Sequence, residues 1–220
     1  MTIPNNLAKY FDHTNLKADC RERDIKKLCA EAKAHGFFSV CVNPAWVKNC
    51  VRWLKDSGVK VCTVIGFPLG ANRNTIKASE IKKAIADGAE EVDMVINISK
   101  LKDKRLPYIR NELIRCKKAS GDKVLKVIIE TCFLTDTEKE TAVKLCIEAG
   151  CDFVKTSTGF GSGGATVEDI QLMKRIGGSS IRIKASGGIK TLETALNLIH
   201  SGADRIGSSN SVAILTEAVK

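Results

Sequence analysis

The chain has 220 residues, 44% hydrophobic and only 5% aromatic, enough for one sizeable core and not obviously for two. Its formal charge of +10 raises nucleic acid and membrane surfaces as partners. The cations, however, are spread along predicted helices beside Glu or Asp, with no block of five like charges, so a solvated helical exterior explains them better. The nine cysteines include no C-x-x-C pair, Met1-Thr2-Ile3-Pro4-Asn5-Asn6 is polar, and no apolar run approaches ~18 residues. The expectation is a reduced, cytoplasmic protein without nucleic-acid or membrane partners, whose cysteines pack mainly as small hydrophobes.

Leu7 to Tyr10 reads as a short helical lid ahead of a first strand near Tyr10 to Thr14. Asp19 is placed to cap the next helix, where Ile25, Leu28 and Cys29 recur at helical spacing. Phe37 to Val42 is the second strand, and Pro44 starts a helix in its first turn. Val59 to Ile65 is the third strand, stopped by Gly66-Phe67-Pro68-Leu69-Gly70; a helix from about Asn74 ends at Gly88. Glu91 to Ile96 and Val124 to Glu130 are strands four and five, followed by helices near Arg105 to Lys118 and Asp136 to Ala149. Asp152 to Lys155 is the sixth strand and Ile181 to Lys184 the core of the seventh. Their helices run near Val167 to Ile176 and Thr191 to His200. Ala203 to Gly207 is the eighth strand, and Ser208-Ser209-Asn210 leads into a terminal helix.

Eight strand-then-helix units without a linker require a parallel sheet with helical crossovers. In about 220 residues they match an α/β fold of the (β/α)8 TIM-barrel type, a single domain over residues 1–220 with a short N-terminal helix. An open doubly wound sheet is the alternative; the absence of G-x-G-x-x-G after the first strand lowers its dinucleotide-binding version.

Reactive groups in a barrel project from the C-terminal strand ends. Asp12, Cys41, Asp93, Glu130, Lys155 and Lys184 all fall there. Strand alternation puts Phe153 and Lys155 on one face and Val154 on the other, and it can aim Asp93 and Lys184 inward as well. A buried ammonium is costly, so a lysine at such a position is driven toward the neutral amine, a nucleophile. For one lysine, snorkelling to the strand end is the better reading; two such lysines, each ahead of a small-residue turn, favour chemistry. Lys184 on the adjacent strand supplies a second cation. At ~5 Å and an effective dielectric of about 20, two ammoniums repel by about 3 kcal/mol, or roughly two pKa units. Asp93 is the candidate proton shuttle, and also a partner that neutralises a lysine. Gly187-Gly188 and Gly207-Ser208-Ser209 each precede a helix after strands seven and eight, where backbone N–H groups favour a phosphate.

Together these segments resemble the deoxyribose-phosphate aldolase family, class I aldolases. The resemblance runs through Asp12-His13-Thr14, Val40-Cys41-Val42-Asn43-Pro44, Gly66-Phe67-Pro68-Leu69-Gly70, Glu91-Val92-Asp93-Met94-Val95-Ile96-Asn97, Lys126-Val127-Ile128-Ile129-Glu130-Thr131, Lys155-Thr156-Ser157-Thr158-Gly159, Lys184-Ala185-Ser186-Gly187-Gly188-Ile189 and Arg205-Ile206-Gly207. It implies a Schiff base on Lys155, proton transfer by Lys184 and Asp93, and reversible cleavage of 2-deoxy-D-ribose 5-phosphate to glyceraldehyde 3-phosphate and acetaldehyde. The protonated imine is then the electron sink, so neither metal nor cofactor is expected. By the same resemblance Asp12 and Thr158 hydrogen-bond substrate hydroxyls and Cys41 lies near the substrate, while remaining equally well explained as a small buried hydrophobe. Asn210 stands where many relatives keep serine and Phe160 where some carry lysine, which bears on the phosphate shell and the site rim. Exposed helical faces can serve a homodimer, though nothing in the pattern demands one. The rival readings are another phosphosugar barrel enzyme, such as an isomerase with Glu130 or Asp93 as base, and a non-enzymatic barrel that binds a phosphorylated ligand.

Overall fold

The computed structural model describes residues 2–219, so the two end residues of the expected domain lie outside the described residues. Eight strands pair in sequence order, all parallel, and β8 returns to β1, which excludes the open sheet. They are β1 Phe11–Asn15, β2 Ser39–Val42, β3 Lys60–Ile65, β4 Glu91–Val95, β5 Val124–Ile128, β6 Phe153–Lys155, β7 Arg182–Ser186 and β8 Arg205–Ser208. Around them lie α1 Glu22–His35, α2 Val47–Trp53, α3 Asn74–Ala86, α4 Ile98–Lys102, α5 Leu106–Ser120, α6 Asp136–Glu148, α7 Val167–Gly177, α8 Leu192–His200 and α9 Ser211–Ala218. Among the described residues no helix is long and apolar enough to cross a membrane.

The main apolar core lies between strands and helices. Val40, Val92, Met94, Val127, Val154, Ile183 and Ile206 face outward from the barrel onto Ile81, Leu113, Val143 and Ile170 of the helical ring. Successive side chains of a strand point to opposite faces, so their neighbours Asp93, Lys126, Lys155 and Lys184 are turned into the barrel. That inward layer is buried and polar.

One local expectation is corrected. The first helix is not capped by Asp19: it starts at Glu22, and the Asp24 carboxylate accepts the Arg21 N–H at 2.9 Å, closing the first turn from within. The short helix expected ahead of the first strand is the 3-10 turn Leu7–Tyr10. It sits at the opposite end of the barrel, where Lys9 and Tyr10 lie beside Gly202–Asp204, just ahead of β8, and buried Leu7 anchors it to the core. The short helix α4 was not anticipated, because five residues carry too little periodicity to read.

Candidate active site

Parallel pairing places Lys155 directly beside Lys184, and Asp93 beside Lys126. The four side chains meet within the barrel. Asp93 accepts from three ammoniums: Lys155 at 2.8 Å and Lys184 at 2.7 Å share its Oδ2, and Lys126 reaches Oδ1 at 2.8 Å. Lys184 also donates to Asp12. Lys126 pairs with Glu91 at 2.5 Å, and Arg205 pairs with Asp12 Oδ1 at 2.7 Å and Glu91 at 3.4 Å. Ser39 adds a 2.7 Å bond to Asp12 Oδ1. Below this layer Phe153 and Phe38 offer ring faces to the cations, with the Arg205 guanidinium carbon 3.4 Å from the Phe38 centroid.

Burial by itself would push the Asp93 carboxyl up. Lys126, Lys155 and Lys184 overcome that and hold it well below the usual carboxylate range. Asp12 is likewise held down against its burial by Lys184 and Arg205. Conversely, burial opposes the charge on Lys184, but Asp12 and Asp93 more than offset it, and the ammonium is held above the ordinary lysine range. Lys126 is raised in the same way, against burial, by Asp93, Cys62 and Glu91. Lys184 and Lys126 are therefore fixed cations, and Asp12 and Asp93 fixed anions.

The ion-paired network contains four cations (Lys126, Lys155, Lys184, Arg205) and three carboxylates (Asp12, Glu91, Asp93). Every cation has a carboxylate neighbour, but the cations outnumber the carboxylates by one. Lys155 touches a single carboxylate, whereas Lys184 and Lys126 each pair closely with two. Lys155 is also the member of the network that lines the open cavity.

That cavity, of about 930 Å³, runs from Lys155 and Thr158 past Ser186, Gly187 and Gly188 to Gly207, Ser208 and Ser209. It brings together the residues expected to bind the sugar phosphate. Gly187 and Gly188 have left-handed backbones, at φ 86° and 75°, which glycine adopts without cost. Gly207 is glycine for another reason: a Cβ there would lie 3.1 Å from both Lys184 Cε and Ser186 Cβ. Ser208 is engaged by Ile189 O and the Asn210 N–H, while Ser209 is exposed and donates to Asn210 Oδ1. Phe160 is 57% exposed at the rim, set edge-on against Phe67 at 5.3 Å between centroids.

Asp12 and Cys41 do not line this cavity; they are wholly buried inside the barrel. Cys41, Cys62 and Asp93 bring potential metal-ligand atoms within 4.8 Å of one another. Yet Cys62 lies 3.4 Å from the Lys126 ammonium and Asp93 is already held by three lysines, so the surrounding charge opposes a metal cation there. Glu130 is turned away from the lysines, its carboxylate accepting from Thr158. Sequence reasoning missed Lys126, Glu91, Arg205, Ser39 and Cys62. The signal was available in strand parity, since Glu91 is two residues before Asp93 and Lys126 interrupts an aliphatic strand.

The family model for the DeoC/LacD family of aldolases matches residues 6–215. The chain belongs to that family. It is 55% identical to a deoxyribose-phosphate aldolase of Brevibacillus brevis over 97% of this chain and 96% of the relative. With one of Bdellovibrio bacteriovorus it shares 54% identity over 95% of each chain. Among solved structures, a deoxyribose-phosphate aldolase of Aeropyrum pernix, described as tetrameric, superposes with a TM-score of 0.91 at 30% identity, covering 97% of this chain and 91% of that one. The aldolase QR15 gives 0.94 at 42% identity, covering 98% and 97%. Membership is what the (β/α)8 fold and the lysine pair led one to expect, and the isomerase and binding-protein readings lose their support.

Proposed function

We propose that this family member cleaves 2-deoxy-D-ribose 5-phosphate reversibly to D-glyceraldehyde 3-phosphate and acetaldehyde through a Schiff base on Lys155, the residues 1–220 acting as one catalytic domain. The observation that carries the reading is the surplus positive charge of a sealed ionic network whose one cavity-lining lysine is Lys155. Its neutral amine adds to C1 of the open-chain sugar, and loss of water gives a protonated imine. The C2–C3 bond then breaks; its electron pair moves into the iminium to form an enamine, and the C3 hydroxyl gives up its proton as C3 becomes the aldehyde carbon of glyceraldehyde 3-phosphate. Protonation of the enamine at C2 and addition of water release acetaldehyde and restore the amine.

Asp93 Oδ2, shared by Lys155 and Lys184, offers a short path for protons between the two nitrogens. Because Asp93 is held strongly ionised, its part is to pass a proton on, not to store one. Lys184 remains a positive neighbour of Lys155 across the shared Asp93 oxygen. Asp12 fixes Lys184 and Arg205 from within the barrel, so its influence on substrate is exerted through Lys184. Gly187, Gly188, Gly207, Ser208 and Ser209 cradle the phosphate at the far end of the cavity, and Cys41 packs beside the network as a small apolar side chain. All nine cysteines are free, which suits a reducing cytoplasm. Ile76 and Ile114, about half exposed on neighbouring α3 and α5, support a homodimer through that face.

Treatment with acetaldehyde and borohydride tests the reading. The expected outcome is a stable two-carbon adduct that peptide mapping places on Lys155. No adduct, or an adduct at position 184, overturns it.

A further inference from the structure

Behind the cavity wall, Glu130 follows β5 with a left-handed backbone, φ 55° and ψ 70°. A side chain with a Cβ adopts that conformation at a cost of about 1–2 kcal/mol, so the surroundings must hold it there. They do so through Thr158. The Thr158 N–H donates to both Glu130 oxygens at 3.2 Å, and the Thr158 hydroxyl donates to Glu130 Oε2. The Phe160 N–H in turn donates to the Thr158 hydroxyl oxygen at 3.0 Å. Glu130 is 1% exposed and outside the cavity lining, whereas Thr158 is part of that lining. Gly161 makes room for the arrangement: a Cβ there would lie 3.2 Å from Glu130 Cδ and 2.9 Å from Cys132 Sγ.

A hydroxyl has one proton and two lone pairs. In Thr158 the proton is committed to Glu130 and one lone pair to Phe160, leaving a single lone pair for the cavity. We infer that Glu130 is a positioning residue that fixes the Thr158 hydroxyl as an acceptor, so that it selects a substrate hydroxyl able to donate to it. The inference rests on the aldolase reading and deepens it: Glu130 acts on recognition of the hydroxylated part of the sugar, not on formation of the imine. Left to rotate, the Thr158 hydroxyl would also present its proton to the cavity and accept substrates in a second orientation.

The test compares wild type, Glu130→Gln, Thr158→Val and the double variant in two assays. One is kcat/KM for cleavage of 2-deoxyribose 5-phosphate; the other is the rate of borohydride trapping with acetaldehyde, which has no hydroxyl to recognise. In Glu130→Gln cleavage falls about a hundredfold, the scale expected when a contact is misplaced, and its loss exceeds the loss in trapping at least tenfold. The double variant is no worse in cleavage than the poorer single variant, because Glu130 works only through Thr158. Gly161→Ala, which crowds Glu130 without altering any charge, shows the same selective loss and keeps the proposal testable if Glu130→Gln does not fold. Equal losses in both assays, or a double variant that loses the product of the two single losses, overturn the inference. A wild-type protein that traps no acetaldehyde is a different result, because it overturns the aldolase reading itself.

Discussion

Two sets of buried charges in this protein use the same chemistry to different ends. Outside the barrel, Lys77 of α3 and Glu112 of α5 form a wholly buried pair at 2.8 Å. The Lys77 ammonium also donates to Val95 O at 2.7 Å, and Glu112 Oε2 accepts the Asn97 N–H at 2.8 Å. One cation meets one carboxylate, and the pair ties two helices to the end of β4. Inside the barrel, four cations meet three carboxylates. A matched pair gains nothing by losing a proton, since that would strand its partner's charge in a medium that penalises it. The barrel set has one cation more than it has carboxylates to match it. Stoichiometry, more than burial, is therefore what separates Lys77 from the lysine proposed to be reactive.

Replacing each kind of lysine by the apolar side chain nearest its shape gives the sharpest break. Lys155→Met should abolish cleavage and the trapped adduct, yet leave the melting temperature within about 2 °C of wild type, because the remaining network has three charges of each sign. Lys77→Met should do the reverse. It leaves Glu112 buried without its cation, at a cost of about 3–5 kcal/mol, or roughly 10 °C or more for a chain of this length, while the folded protein still turns over. Calorimetry beside a cleavage assay reads both. A Lys155 variant that melts as early as the Lys77 variant would mean that Lys155 is structural too.

How far this was legible in the sequence follows from where each group sits along its strand. The sequence placed Asp12, Asp93, Lys155 and Lys184 at C-terminal strand ends; Lys155 does end β6, but Asp93 and Lys184 lie in the middle of β4 and β7 and Asp12 near the start of β1, because the strands run on past them. The barrel register then brought Lys155 and Lys184 side by side as alternation implied. Glu91 and Arg205 start their strands and Lys126 is in mid-strand, level with Asp93, where a lone charge reads as an edge or a surface position. Only closure of the sheet shows that they point at one another across the barrel. Pairwise repulsion between Lys155 and Lys184 was thus a partial picture: Asp93 stands between them, and the balance of the whole network sets the outcome. The work of Glu130 was hidden for a related reason, since its partner Thr158 lies 28 residues further on.

Lys184→Leu sharpens the comparison from within the network. It removes one cation, leaving three against three, and Lys155 is then needed as an ammonium. A neighbouring charge worth about 3 kcal/mol corresponds to roughly a hundredfold less free amine at neutral pH. Acetaldehyde trapping should slow by about that factor and recover as pH rises, and residual cleavage should have its optimum at higher pH than wild type. The sign is readable because Lys184 in the wild type is held above the ordinary lysine range. Its stabilising charge is present at neutral pH and is lost only when pH rises through that elevated value, so across pH 7 to 9 it does not itself titrate. Trapping that is slow in Lys184→Leu at every pH would mean that Lys184 aids catalysis by contact rather than through charge.

The smallest expected effect lies at the far end of the cavity, where charge is arranged without any sealed network. Ser209 is exposed and lines the cavity beside Gly207 and Ser208, with its hydroxyl on Asn210 Oδ1. Ser209→Asp puts a carboxylate next to the proposed phosphate cradle. In a solvated position the repulsion of two such charges a few ångströms apart is about 1 kcal/mol, a five- to tenfold rise in KM for 2-deoxyribose 5-phosphate. Unphosphorylated deoxyribose should be nearly unaffected, as should kcat, since the proposed imine forms at Lys155, away from this turn. Added salt should shrink the difference, because exposed charges are screened. A pronounced loss on both sugars would show instead that the Ser208-Ser209-Asn210 turn acts by shaping β8 and Gly207, past which Lys184 must thread.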